Sequence, residues 1–250
     1  MVETGSDFLS GDLISASLIV YRKNGITALV DLRGDDQNGT RMCLVSDMYS
    51  KWFSHFPQQC PLKVLDLGAN GGGFSLSLLA AGFSFSKCVC VEMNPNTYIR
   101  LQFNLNYNCP GTGTAVNAAV AGRNGSVSIM KNQGGTSDSI YLKHLDAEKS
   151  LVEVPLITFD ELAGSYFGTD KNTIIDVCKI DVEGAEYEIL HSDTCQSLLR
   201  TKILIIEIHD GDRAKLMERI CSLGFCEIFA EKQINDGVHC FENKELKVQK

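Results

Sequence analysis

From residue 63 onward, short apolar runs alternate with longer stretches whose apolar positions recur every three to four residues. The first spacing suits strands and the second suits helices, and their alternation predicts a parallel sheet covered by helices. Strands are expected over 63–67, 87–92, 114–120, 174–181, 202–208, 226–229 and 238–242. The run ILIIEI at 203–208 is apolar on both faces, as a central parallel strand should be. Asn94 before Pro95 reads as a helix cap with a first-turn proline, and Asp212 opens a helical stretch that Gly224 closes. Residues 122–141 are rich in Gly, Ser and Asn, which predicts one short strand over 126–130 and then a loop.

The first 60 residues are less regular. Residues 18–21 and 27–32 could pair as a hairpin about Asn24-Gly25, and 43–56 looks helical. The expected organisation is therefore an N-terminal extension over 1–60, packed on the sheet or covering the ligand, and an α/β domain over 61–250.

Composition narrows the field. The 250 residues are 44% hydrophobic and 22% charged, which excludes disordered and fibrous classes. The net charge of −8 argues against nucleic acid as a partner, because phosphate contacts need a basic face. Ten cysteines include no Cys-x-x-Cys pair, so zinc-ribbon and thioredoxin readings fail. Cys88 and Cys90 sit two apart in a strand and read as small buried hydrophobes on one face. The first residues are acidic and their apolar stretch at 13–21 is too short to span a membrane, so the expectation is reduced thiols in a cytoplasmic setting.

Three constellations could carry chemistry. In VLDLGANGGGF, 64–74, a strand runs into a glycine-rich turn and then a helix, which brings backbone close to a ligand. Glu92 ends the next strand, where a carboxylate accepts hydrogen bonds from ribose hydroxyls. Asn70 occupies a position where a dinucleotide site wants glycine, whereas Asp66 would suit the ammonium of S-adenosylmethionine. In KIDVEGAEYEIL, 179–190, Lys179, Asp181 and Glu183 share a face while the chain stays extended, and Glu186 is expected to support the N-terminus of the next helix. In EIHDGD, 207–212, Glu207 and His209 sit on one face at a strand's carboxyl end. Asp181, Glu207 and His209 could hold a hard divalent ion such as Mg²⁺ or serve as a proton-accepting set, and spacing alone leaves both open.

DLGANGGGFS, VEMNP, NAAVAG, VPLITFDEL and above all KIDVEGAE resemble the FkbM family of S-adenosylmethionine-dependent methyltransferases, in order and over about 63–229. The resemblance implies a Rossmann-like class I methyltransferase fold, a mostly parallel seven-stranded sheet with an antiparallel last strand. It also implies methyl transfer to a hydroxyl oxygen of a sugar, glycan or other hydroxylated metabolite. By the same resemblance Gly68, Asn70 and Gly72 shape the methionine pocket, with Ala69, Phe74 and Met93 beside it. Glu92 holds the ribose, and Asn117 and Ala118 lie near adenine. Asp181 or His209 is then the candidate base, with Glu207 orienting His209 or sharing a metal, and Lys179 holding a carboxylate or a substrate oxygen. The competing readings are a non-catalytic nucleoside-binding protein and an NAD-dependent oxidoreductase, the latter opposed by Asn70. The acceptor pocket is expected from the first 60 residues and the loops at 124–125 and 134–135. Tyr49, Trp52, Phe53, Tyr141 and Tyr166 are aromatic candidates there.

Overall fold

The computed structural model describes residues 6–8, 17–32, 36–58, 61–130, 140, 151–209, 211–229 and 237–246. Strands β1 (Ser6–Phe8), β2 (Leu18–Lys23) and β3 (Ile26–Asp31) form an antiparallel sheet. β2 and β3 meet at Asn24-Gly25 with φ of 50° and 78°, the left-handed pair that matches hairpin twist and that Asn-Gly adopts at low cost. The helix expected over 43–56 is two short pieces instead, preceded by a third. A π-helical turn (Gln37–Arg41) runs into α1 (Met42–Val45), and a 3₁₀ turn (Ser50–His55) follows. Ser46 ends α1 in extended backbone, its hydroxyl donating back to the Met42 carbonyl, a local bond that competes with helix continuation.

The chain then passes through β4 (Leu62–Leu67), α2 (Gly73–Ala80), β5 (Phe85–Glu92), α3 (Pro95–Asn108) and β6 (Gly113–Asn117). Next come β7 (Ala119–Ala121), β8 (Gly125–Met130), β9 (Leu151–Thr158) and α4 (Phe159–Phe167). The remainder is β10 (Ile175–Ile180), α5 (Glu186–His191), β11 (Thr201–Glu207), α6 (Arg213–Ser222), β12 (Phe225–Glu227) and β13 (Val238–Asn243).

Seven strands make one sheet in the order β12-β13-β11-β10-β4-β5-β6. β11, β10, β4, β5 and β6 pair in parallel, and β13 runs antiparallel to both of its neighbours. This is the Rossmann-like sheet with the antiparallel last strand. Alternate residues feed two cores. Leu65, Leu67, Val89, Cys178, Ile180 and Leu204 face α4, α5 and α6. Val64, Cys88, Cys90, Val177 and Ile203 face α2, α3 and the aromatic residues 49–56. Cys88 and Cys90 are thus buried on one face, as their spacing implies. Asn94 and Asp212 cap α3 and α6 by accepting from the Asn96 and Lys215 N–H groups.

Two expectations are corrected. The strand expected over 114–120 breaks at Ala118: β6 stays in the main sheet, and β7 leaves it to pair with β9. β9 was not foreseen. It lies between β7 and β8 in a small three-stranded sheet, and β8 is the short strand expected over 126–130. The strand expected over 226–229 stops at Glu227, and Phe229 is exposed. Gly134, Gly135 and Tyr141 lie outside the described residues. Among the described residues no helix is long and apolar enough to cross a membrane.

Candidate active site

The carboxyl ends of β4 and β10 lie side by side at the centre of the sheet, where the strand order diverges and a crevice opens. The Asp181 N–H donates to the Leu67 carbonyl at 3.1 Å. A Cβ on Gly68, whose φ is 69°, would lie 1.6 Å from the Asp181 carbonyl oxygen. The glycine is required by this close backbone approach. The rest of the turn is fixed by side chains from elsewhere. Asn70 adopts a left-handed φ of 50°, and its N–H donates to Glu92 Oε2 at 3.0 Å. Glu92 Oε1 accepts the Asn94 N–H at 2.8 Å, so each oxygen of this buried carboxylate is anchored by one backbone donor. Asn117 donates its carboxamide to the Glu92 and Met93 carbonyls at 2.8 and 2.9 Å.

Lys179 occupies the floor. Its ammonium is 3.0 Å from Asp181 Oδ2 and 3.5 Å from Asp66 Oδ1, and donates to the Gly68 carbonyl at 3.0 Å. Burial alone would lower its pKa, but Asp181, with Tyr49 and Asp66, outweighs that and holds it well above the usual value. Asp66 is completely buried, accepts from the Ser75 hydroxyl at 3.0 Å, and lies outside the cavity lining. The expected Asp66 contact to a ligand ammonium is therefore corrected: its side chain lies on the Val64 face of β4, reaches Ser75 of α2 and pairs with Lys179. Burial raises its carboxyl pKa, against the pull of Lys179 and Ser75.

On the far side, β10 ends at Ile180; Lys179 and Asp181 still face one another, and Glu183 alone leaves the face that the spacing suggests for all three. Glu183 takes φ 53°, an uncommon state for this residue type and one that concentrates at functional sites. The turn brings its carboxylate 3.4 Å from His209 Nε2. Asp181 Oδ1 and Glu207 Oε1 approach the same nitrogen at 3.9 and 3.8 Å. Nδ1 of His209 donates to Glu186 Oε1 at 2.8 Å. Glu186 is completely buried, and its oxygens also accept the Val182 and Gly184 N–H groups. It lies in the first turn of α5, holds the turn that precedes the helix, and orients His209. That bond, with help from Glu183 and Asp181 and against burial, pushes the imidazole up to about 9. Burial pushes Glu183 up to about 7, against the pull of His209.

These groups line one cavity of about 430 Å³. Its walls hold Gly68, Ala69, Asn70, Phe74, Glu92, Met93 and Ala118 at one end and Lys179, Asp181, Glu207 and His209 at the other. Gly72 and Asn117 are not in the lining; Gly72 packs under the turn against Leu101, and Asn117 braces the Glu92–Met93 backbone. Glu183 is in the lining with Lys179 and Asp181; spacing did not reveal Thr40 or Ile140, nor that Glu186 would orient His209. The N-terminal extension does contribute, through Asn38, Thr40, Cys43, Met48 and Tyr49. Trp52 and Phe53 are packing residues, Trp52 donating its indole N–H to the Ile228 carbonyl and Phe53 packing tilted against Phe56 and edge-to-face against Phe83. Tyr166 is partly buried against the core under Lys87. Asp181, Glu207 and His209 each offer one donor atom, all within 4.8 Å of one another.

Residues 66–225, more than half of the chain, match the family model of the methyltransferase FkbM domain. The chain belongs to the FkbM methyltransferase family. Among solved structures, it is similar to methyltransferase FkbM from Methylobacillus flagellatus, at 15% identity over 73% of this chain and a TM-score of 0.47. This chain covers 43% of that protein's length. Precorrin-6y C5,15-methyltransferase from Geobacter metallireducens is similar at 16% identity, over 77% of this chain and 84% of that one, with a TM-score of 0.41. M. jannaschii TYW2, solved in complex with AdoMet, is similar at 13% identity over 92% and 88%, with a TM-score of 0.42. No curated protein matches the sequence.

Proposed function

We propose that this FkbM-family chain is an S-adenosylmethionine-dependent O-methyltransferase whose acceptor is a hydroxyl of a sugar, glycan or other hydroxylated metabolite. The observation that carries the reading is the shared wall: Asp181 touches the glycine-rich turn through its backbone and enters the acceptor end of the same cavity through its carboxylate. The cavity residues fit the cofactor. Glu92, anchored by two backbone N–H groups, presents a carboxylate suited to a ribose diol. Val91, Met93, Ala118, Ala119, Val120 and Ile140 give an apolar slot suited to adenine.

S-adenosylmethionine, when bound, supplies a methyl group already activated on a sulfonium. What remains for the chain is to orient an acceptor oxygen, worth about 7–11 kcal/mol, and to take its proton, worth about 10²–10⁴-fold in rate. Asp181 is the proton acceptor in this reading, held in place by Lys179. His209, charged through its bond to Glu186, balances the carboxylates of Asp181, Glu183 and Glu207 around the acceptor. The donor spacing supports a second reading, in which Asp181, Glu207 and His209 Nε2 hold a divalent cation such as Mg²⁺. Glu186 on Nδ1 is the kind of outer partner that metal-bound histidines have. The net charge of −8 favours a neutral small molecule or glycan over nucleic acid, and a reducing cytoplasmic setting suits the described cysteines, all free thiols.

The test is formation of S-adenosylhomocysteine from S-adenosylmethionine with a panel of neutral sugars and glycans, with and without Mg²⁺. Product that depends on an acceptor and on Asp181 supports the enzyme. Tight S-adenosylhomocysteine binding with no turnover across acceptor classes supports the non-catalytic reading, and selective binding of NAD supports an oxidoreductase.

A further inference from the structure

The glycine-rich turn is shaped around a residue that the family domain does not contain. Thr40 lies upstream of the match, which begins at residue 66. A Cβ on Gly71 would come within 2.3 Å of Thr40 Oγ1, and one on Gly73 within 2.8 Å of the Thr40 Cα and of Cys43 Sγ. Thr40 is completely buried, and its hydroxyl donates to Asn70 Oδ1 at 3.2 Å. The same oxygen accepts the Gly71 N–H at 2.6 Å.

A carboxamide oxygen accepts two hydrogen bonds, so Asn70 Oδ1 is saturated and the group cannot flip without losing both. The nitrogen end of Asn70, with two donors, then has no partner among the described residues, and Asn70 lines the cavity. The segment that brings Thr40 here is itself anchored. Asp36, completely buried, accepts from Arg100 Nε at 2.7 Å and Nη2 at 3.0 Å and from the Asp31 N–H at 2.8 Å.

Two N–H donors on one nitrogen match an acceptor. An ammonium has no lone pair to offer, whereas a carboxylate has several. We propose that Thr40 is a cofactor-positioning residue: its hydroxyl locks the Asn70 carboxamide so that the amide N–H groups hold the carboxylate of the methionine half of S-adenosylmethionine. The N-terminal extension is then part of the cofactor site. This inference rests on the cofactor reading above and assigns recognition of one group within it.

The test is calorimetric titration of the full chain with two probes. S-adenosylhomocysteine carries the carboxylate, and 5′-methylthioadenosine keeps the nucleoside and lacks it. Thr40→Val should raise the S-adenosylhomocysteine Kd about fivefold and leave the methylthioadenosine Kd within about twofold, the scale of one hydrogen bond. Thr40→Ser should bind both probes as the unaltered chain does. Asn70→Asp, which tolerates left-handed backbone, should weaken S-adenosylhomocysteine about a hundredfold through like-charge opposition, again sparing methylthioadenosine, whose binding also shows that each variant is folded. Equal weakening of both probes by Thr40→Val would overturn the proposal, because Thr40 would then only prop the wall. An unchanged S-adenosylhomocysteine Kd in Thr40→Val would overturn it as well. If the unaltered chain binds methylthioadenosine but not S-adenosylhomocysteine, this inference fails and the nucleoside site stands; if it binds neither, both fail.

Discussion

The two ends of the cavity are built on opposite plans. At the nucleoside end, backbone does the positioning: N–H groups of Asn70 and Asn94 grip Glu92, and Gly68 lets two strand ends touch. At the acceptor end, side chains position one another. Glu186 fixes His209, Lys179 fixes Asp181, and Glu183 reaches the cluster through a left-handed turn. Backbone positioning gives a stiff site with a few residues that cannot change. Side-chain positioning gives a charged set in which one substitution alters the charge and orientation of its neighbours. Specific binding of one cofactor suits the first plan, and proton transfer suits the second.

This contrast can be broken at its strongest point. Gly68→Ala places a Cβ 1.6 Å from the Asp181 carbonyl at a φ that opposes side chains. It should cost roughly 4 kcal/mol or more and lower the midpoint of thermal unfolding by roughly 8–16 °C. An unfolding midpoint within a degree or two of the unaltered chain would show that this close approach is soft. Asp181→Asn comes next. Turnover should fall by about 10²–10⁴-fold while the Kd for S-adenosylhomocysteine stays nearly constant. Loss of cofactor binding instead would move Asp181 to the nucleoside end.

Glu92→Gln should do the reverse. It weakens S-adenosylhomocysteine by about 10–100-fold, as for hydrogen bonds to a charged group, and spares turnover at saturating cofactor. The smallest effect concerns His209. Its folded pKa of about 9 lies above the ordinary 6.5, so the imidazolium's contribution to stability is fully present below about pH 6.5 and is lost as pH rises towards 9. The groups facing it are Asp181, Glu183 and Glu207 at Nε2 and Glu186 at Nδ1. Glu186→Gln removes the largest upward cause, so in chelator-treated protein the decline in unfolding midpoint between pH 6.5 and 9 should flatten. An NMR titration of the imidazole that leaves its midpoint unmoved in this variant would show that Glu186 does not hold the charge.

The same contrast governs what the sequence reveals. The nucleoside end is local: a strand, a glycine-rich turn and an acid one strand later carry it, so 64–74 and Glu92 are readable from spacing. Asn24-Gly25 is readable for the same reason, because the turn dictates the residues. The supporting contacts are not readable in this way at either end: Glu186 orients His209 from 23 residues away, and Thr40 holds Asn70 at the turn from 30 away. Periodicity says which face a residue takes, and nothing about who stands opposite. Asp66 shows the limit from the other side: its place at a strand end is right, yet alternation turns its carboxylate into the core beside Ser75. The break at Ala118 and the strand β9 were hidden because β7 is only three residues long and pairs with a strand that follows a long intervening segment.

The central claim is that this cavity holds S-adenosylmethionine through Glu92. Thermal unfolding of the unaltered chain and of Glu92→Gln, each with S-adenosylhomocysteine or NAD, tests it most directly. At a hundred times its Kd a ligand adds about 2.7 kcal/mol, which for a chain of this size is roughly 5–11 °C. The expected result is that shift for the unaltered chain with S-adenosylhomocysteine alone, and a much smaller one for Glu92→Gln at the same concentration. A shift with NAD alone, or equal shifts for both proteins, would contradict the account.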